Sequence, residues 1–218
     1  MNTPRYFICP RYQAPAADGI LLPVLNPADQ SPVGERLVCR EAEIAAVLKA
    51  ANAAQPAWAT LDAKTRAGYL HRIADRIESA DPEAISVILT REMGKPYPES
   101  VGEIANCGGV FRYYAEIARD DAGKVAGTTQ KGSLQLSRYH THGVSAHILP
   151  YNFPILLLCW TVAASLAAGN ACVIKPAEAT TLSTLGFMAH FDHLPDGLVN
   201  CLPGDAETGR LLVESPHT

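Results

Sequence analysis

The chain has 218 residues, of which 48% are hydrophobic and 18% are charged, and its formal net charge at pH 7 is −4. This composition argues against a disordered chain and supplies enough apolar side chains for one large or two small cores. Lys and Arg are scattered singly, so nothing indicates a nucleic-acid or membrane partner. Small molecules and other protein chains are the expected partners.

The cysteines and the N-terminus indicate the redox compartment. The 6 cysteines lie far apart and form neither a C-x-x-C pair nor a zinc-type cluster with the 7 histidines, which predicts reduced thiols and no metal site. The opening MNTPRYFICPRYQAP lacks the apolar core and cleavage site of a signal peptide. Both features favour a cytoplasmic protein.

The longest uncharged stretch, Tyr139 to Ile174, invites a transmembrane interpretation. Its unbroken helical part, residues 154–168, rises only about 22 Å, against a hydrocarbon core of about 30 Å. We therefore expect a helix buried on all sides within the protein, with Leu156, Leu157 and Trp160 in the core.

The first half of the chain predicts a helical layer after an irregular start. Apolar residues recur at helical spacing in residues 41–58 and 63–80. Asp81 and Pro82 mark the start of a third helix that ends at Gly94. A fourth helix is expected over residues 99–118.

The second half of the chain predicts a sheet. Alternation in residues 121–141 indicates a polar β-hairpin. Three strands and three helices then alternate, the strands being VSAHIL, ACVIK and GLVNCL. This order predicts an α/β fold: a helical layer followed by an incomplete, Rossmann-like parallel βαβ sheet that binds ligands at the carboxyl ends of its strands.

One amide stands out in the segment ILPYNFPILLL. Asn152 has a proline two residues away on either side and almost no polar neighbours, and a buried amide without partners costs about 1–3 kcal/mol. The residues alone leave three roles open, namely a catalytic donor, a helix cap and a turn asparagine bonded to its own backbone. The segment GDAETGRL lacks the Lys-Ser/Thr of a phosphate loop, so a strand-to-helix turn is expected there.

Several motifs in order carry a family resemblance. These motifs are NPADQSPVGE, PAW, EMGKP, PYNFP and GNACVIKPAE. Together they make this chain, from about Asn26 to Thr218, resemble the N-terminal half of the NAD(P)-dependent aldehyde dehydrogenase superfamily. The resemblance implies a reaction in which a cysteine attacks the aldehyde and an asparagine amide holds the oxyanion. Hydride then passes to the nicotinamide, and a glutamate activates the water that releases the carboxylic acid.

The resemblance also assigns site residues. It makes Asn152 the catalytic oxyanion donor, and it places Lys175 and Glu178 on the adenosine ribose. Glu178 is expected to favour NAD over NADP, because a carboxylate repels a 2′-phosphate. The structural alternative is an exposed salt-bridging pair. The remaining cofactor-binding residues implied are Leu149, Pro150, Tyr151, Pro176, Ala177, Gly204 and Gly209.

The resemblance implies an incomplete enzyme. Residues 1–120 and 142–218 correspond to the NAD-binding domain and residues 121–141 to an oligomerisation hairpin, while the catalytic domain is absent. The family's nucleophilic cysteine and general-base glutamate lie beyond the position of Thr218. No cysteine present is expected to substitute, because buried thiols have raised pKa values.

The expected function of the whole enzyme is NAD-dependent oxidation of an aldehyde. The chain by itself is expected to be inactive, and it is expected to form a homo-oligomer or to pair with a complementary catalytic segment. One alternative is a non-enzymatic nucleotide-binding or assembly module that pairs with a full-length homologue. Another is a remnant without function.

Overall fold

The structure is a computed structural model that describes residues 5–16, 19–120, 123–127 and 130–218. Its strands are β1 (Tyr6–Ile8), β2 (Arg11–Gln13), β3 (Ile20–Leu25), β4 (Pro32–Val38), β5 (Gly123–Ala126), β6 (Gln135–Arg138), β7 (Val144–Ile148), β8 (Ala171–Lys175) and β9 (Val199–Cys201). Its helices are α1 (Glu41–Thr60), α2 (Ala63–Ser79), α3 (Glu83–Met93), α4 (Tyr97–Ile117), α5 (Pro154–Ala167), α6 (Thr181–Phe187) and α7 (Ala206–Val213).

The main sheet has the strand order β2-β1-β9-β8-β7. Strands β7, β8 and β9 are parallel, as the sequence predicts, whereas β1 and β2 pair antiparallel beside β9. The predicted irregular start was wrong, since the chain opens with these two strands and a separate β3–β4 ribbon. Strands of 3 residues are too short for an alternation signal, and β1 is held by β9 from the far end of the chain.

The helical layer follows the prediction closely. Helices α1 to α3 begin and end within about two residues of the expected bounds, and α4 begins at Tyr97, slightly earlier than expected. Gly94 ends α3 with φ 83°, as expected, and Gly169 follows α5 with φ 91°, so both helices are followed by a left-handed glycine. The predicted helix after β8 divides into α6 and a 3-10 turn, Met188–Phe191.

Helices cover the sheet and share one core with it. Helices α1 and α5 both contact β8, and α5 also contacts α4, which packs along α2. The largest fully buried side chains include Trp58, Phe111, Phe187 and Leu158. This packing fixes α5 between the helical layer and the sheet.

The expectation that α5 is buried on all sides was wrong. Trp160 is 42% exposed and packs edge-on against Tyr113 and Tyr114, with ring centroids 6.1 and 5.9 Å away. Leu156 and Leu157 are only partly buried. Helix α5 meets the core along one side and is only partly covered on the other, and its almost entirely apolar sequence could not reveal which side is exposed.

Strands β5 and β6 pair antiparallel within the segment where a polar hairpin is expected. Parts of that segment, residues 121–122 and 128–129, lie outside the described residues. The strands also expose apolar side chains, namely Val125 and Leu136. Within the described ranges, none of the helices combines the length and apolarity needed to cross a membrane.

Candidate functional site

Three turns follow the carboxyl ends of the parallel strands and lie at one edge of the sheet. Ile148 at the end of β7 stands opposite Lys175 at the end of β8. Leu149 N donates to Lys175 O at 3.0 Å, and Leu202 N donates to Ile174 O at 2.8 Å. The turns after β7, β8 and β9 are therefore aligned, and this edge is where α/β folds bind ligands.

The turn after β7 presents Asn152 to the exterior. All four residues of this turn are exposed, namely Pro150, Tyr151, Asn152 and Phe153. The expectation that the Asn152 amide is buried among apolar neighbours was therefore wrong. Helix α5 has no side-chain cap from this turn, and no described residue hydrogen-bonds the Asn152 amide. The structure thus supports neither the helix cap nor the self-bonded turn asparagine, and the amide is available to a ligand.

A buried glutamate takes the capping role instead. Ile155 N and Leu156 N donate to Glu103 Oε1 at 2.8 and 3.0 Å. The Glu103 carboxylate also forms an ion pair with Lys95, and both side chains are almost fully buried. Lys95 Nζ lies 3.8 Å from the centroid of the Phe153 ring. This pair holds the first turn of α5 and the Asn152 turn before it.

The turn after β8 combines three charged groups. Lys175 is buried, and its Nζ donates to Pro176 O at 3.1 Å. Burial lowers the pKa of Lys175, with a further lowering from Arg36 and an opposing effect from Glu178. Glu178 is exposed and accepts from Arg36 Nη2 at 2.6 Å. Lys175 and Glu178 therefore do not form the exposed salt-bridging pair considered above.

A second buried glutamate holds the helix that follows this turn. Leu182 N and Ser183 N each donate to the Glu92 carboxylate at 2.8 Å. Burial raises the pKa of Glu92 to about 7, although its hydrogen bonds from Ser183 and Leu182 act in the opposite direction. The sequence alone assigned no role to Glu92, Arg36 or Glu103. The motif EMGKP contains Glu92 and also Lys95, the partner of Glu103, but it does not show what either side chain contacts.

The turn after β9 is shaped by Gly204 and Thr208. Thr208 caps α7 together with Asp205, donates to Cys39 O at 2.7 Å and accepts from Arg40 at 3.0 Å. A Cβ at Gly204 would overlap the Thr208 side chain. Glycine is therefore needed here for packing, which agrees with a strand-to-helix turn.

Gly209 differs from Gly204 in its surroundings. A Cβ at Gly209 would lie 3.4 Å from Lys175 Cδ, an ordinary contact. The glycine thus places the backbone of α7 against the stem of Lys175. Of the implied site residues, Leu149, Lys175 and Gly209 are brought together directly.

We expect Gly204→Ala to lower the free energy of unfolding by about 1–3 kcal/mol, because its Cβ has no room beside Thr208. Gly209→Ala is the matched control. It lies inside α7, where alanine is favoured over glycine by about 1 kcal/mol, so this variant should be neutral or slightly stabilised. Urea denaturation of both variants measures the difference. Equal destabilisation of the two variants would contradict the close packing of Gly204 against Thr208.

The thiols offer no alternative chemistry at this edge. All 6 cysteines are buried and unpaired. Burial raises the pKa of Cys9 and Cys172 to about 12, and it also raises the pKa values of Cys39, Cys159 and Cys201. Among the described residues, no group of three or more His, Cys, Asp or Glu side chains is placed to hold a metal ion.

The fold is that of an α/β protein whose strand-end turns align at one edge of the sheet, and sequence comparison identifies its family. The profile of the aldehyde dehydrogenase family matches residues 14–218. The α-ketoglutaric semialdehyde dehydrogenase of Bacillus subtilis (strain 168) is 36% identical over 189 residues, which are 85% of this chain and 38% of that protein. The chain belongs to the aldehyde dehydrogenase family.

Solved structures agree with this assignment. PnpE from Pseudomonas sp. WBC-3 in complex with nicotinamide adenine dinucleotide matches with a TM-score of 0.91 at 32% identity, over 98% of this chain and 44% of that one. The 3,6-anhydro-L-galactose dehydrogenase in complex with NAP matches with a TM-score of 0.91 at 25% identity, over 100% of this chain and 46% of that one. The chain therefore spans less than half the length of these relatives.

Proposed function

We propose that this chain is the cofactor-binding, Rossmann-like part of an NAD(P)-dependent aldehyde dehydrogenase that converts an aldehyde into a carboxylic acid. One observation carries the proposal. The Asn152 amide, which no described residue hydrogen-bonds, and the Lys175–Glu178 turn follow adjacent parallel strands and lie at one sheet edge. Family membership supports it, because two of the family motifs, PYNFP and the KPAE end of GNACVIKPAE, stand at the carboxyl ends of β7 and β8.

The residues at this edge suit a dinucleotide. Among the described residues, Lys175 Nζ has one acceptor, Pro176 O, so further N–H groups can reach a ribose hydroxyl. Glu178 uses Oε2 for Arg36, which leaves Oε1 for a second hydroxyl. Bound at this edge, the nicotinamide would accept the hydride. The backbone of the three turns would line the cofactor, and the residues concerned are Leu149, Pro150, Tyr151, Pro176, Ala177, Gly204 and Gly209.

Asn152 would act on the substrate. Its amide N–H can donate to the oxyanion that forms when a nucleophile adds to the aldehyde carbonyl, and removing one such donor costs about 2.7–4 kcal/mol in other enzymes. Phe153, just before α5, and Trp160, on α5, both have exposed aromatic side chains that would offer apolar surface to the aldehyde.

The nucleophile and the general base are proposed to come from a complementary catalytic segment. The buried thiols of this chain support that view, because thiolate formation at these sites is opposed by burial. The apolar side chains exposed on β5 and β6 favour association with a second copy or with that segment. A cytoplasmic location and the lack of nucleic-acid or membrane partners remain predictions from the sequence.

Calorimetric titration with NAD tests the cofactor site. The wild-type chain should bind NAD, and Glu178→Ala should weaken binding about tenfold, because a charge-assisted hydrogen bond to the ribose is lost. Glu83→Ala, which removes an exposed carboxylate from the first turn of α3, is the matched control and should bind like the wild type. Absence of binding at millimolar NAD would refute the proposal.

A spectrophotometric assay with the same samples separates the enzyme from a non-enzymatic binding module. The isolated chain with NAD and simple aldehydes should produce no NADH, because no reactive thiol is present. Addition of a catalytic segment that carries a reactive cysteine and a glutamate base should restore turnover, and Asn152→Ala should abolish the restored activity. NADH formation by the isolated chain would contradict the proposed division of the site, whereas failure of every added segment favours the binding module.

A further inference from the structure

Arg36 lies outside the proposed ribose-binding turn and contacts it through an ion pair with Glu178. It lies on β4, its side chain is only 8% exposed, and its Nη2 bonds Glu178 Oε2 at 2.6 Å. Its Nη1 is buried and has no partner among the described residues. An unpaired guanidinium nitrogen is unfavourable inside a protein, so a ligand anion that reached it would be stabilised.

The charges around Glu178 point to the kind of anion. Lys175 and Arg36 bring two basic side chains against the single carboxylate of Glu178. Asp205 does not alter this balance, because both of its oxygens bond Arg40 at 3.0 and 2.8 Å. The turn therefore has a net charge of about +1, and a phosphate group of about −2 is attracted to it rather than repelled.

The geometry provides a route for such a group. Glu178 is 50% exposed, so its side chain can turn outward, whereas Arg36 is held in the protein beneath it. Outward rotation of Glu178 would uncover the guanidinium edge, which presents parallel N–H donors suited to phosphate oxygens.

We propose that Arg36 determines cofactor selectivity in this chain: it neutralises Glu178 and binds the 2′-phosphate of NADP, so that the site accepts NADP as well as NAD. This inference rests on the proposed function, since it assumes that the turn after β8 binds the adenosine ribose. It replaces the simple expectation that Glu178 alone selects NAD, because the carboxylate is already paired with a cation.

Calorimetric titration with NAD and with NADP tests the inference through the ratio of the two dissociation constants. In the wild-type chain, NADP should bind within about tenfold of NAD, and Arg36→Met should raise the NADP-to-NAD ratio by about tenfold or more. Arg119→Met, which removes an exposed arginine after α4, is the matched control and should leave the ratio unchanged. Titration with adenosine 2′,5′-bisphosphate and with ADP repeats the comparison of dissociation constants for the adenosine end of the dinucleotide alone.

A second variant keeps the test decisive if the buried Arg36→Met side chain impairs folding. Glu178→Gln changes an exposed position and leaves Arg36 free, so the NADP-to-NAD ratio should fall about threefold or more. If wild type binds NAD but not NADP, or if neither variant changes the ratio, the inference fails while the proposed function stands. If neither dinucleotide binds at millimolar concentration, both fail.

Discussion

Replacement of Glu103 by alanine is expected to lower the free energy of unfolding by about 3–5 kcal/mol, the largest effect of any substitution proposed here. The variant leaves Lys95 charged and buried without its partner. It also removes the acceptor of two N–H groups in the first turn of α5. Urea denaturation monitored by circular dichroism measures the loss.

Two comparisons isolate the cause of that loss. Glu99→Ala removes an exposed carboxylate from the same helix and should change stability by less than about 1 kcal/mol. The double variant Lys95→Met with Glu103→Leu removes both buried charges and should recover part of the loss. A Glu103→Ala variant as stable as Glu99→Ala would contradict the assigned role of this pair in holding the Asn152 turn.

Replacement of Glu92 by glutamine should change how stability depends on pH. Burial raises the pKa of Glu92 to about 7 in the folded chain, from its ordinary value of 4.5. Between these values the folded state binds more protons than the unfolded state, so the contribution of Glu92 to stability falls as pH rises. Full ionisation above pH 7 costs up to about 3 kcal/mol relative to acidic pH.

Urea denaturation at pH 5, 6, 7 and 8 measures this dependence. The stability of the wild type relative to Glu92→Gln should decrease steadily over this range, because glutamine does not titrate. Glu83→Gln changes an exposed residue of the same helix and should show no such trend relative to the wild type. A constant difference between the wild type and Glu92→Gln would mean that the hydrogen bonds from Leu182 and Ser183 outweigh burial.

Both glutamates belong to the helical layer and act on segments of the ligand-binding edge. Glu103 fixes the start of α5 behind Asn152, and Glu92 fixes the start of α6 behind Glu178. Each carboxylate satisfies N–H groups that a helix start leaves without partners. The helical layer therefore supports the turns from behind while their exposed faces remain available to a ligand.

The sequence by itself determined much of the local structure. Helices α1 to α4 have enough turns for apolar periodicity to reveal them, and β7, β8 and β9 are bounded by clear turn residues. The motifs around Asn152, Lys175 and Glu178 also indicated the family and the edge of the sheet at which those residues lie.

Only the tertiary structure decided which groups meet at that edge. Arg36 and Glu178 are 142 positions apart, and Glu103 and Ile155 are 52 apart, so no local pattern could pair them. The short strands β1 and β2 depend on β9 in the same way. The exposure of Trp160 depends on which side of α5 meets the core, because the two polar residues of this helix, Thr161 and Ser165, are too few to mark its outer face.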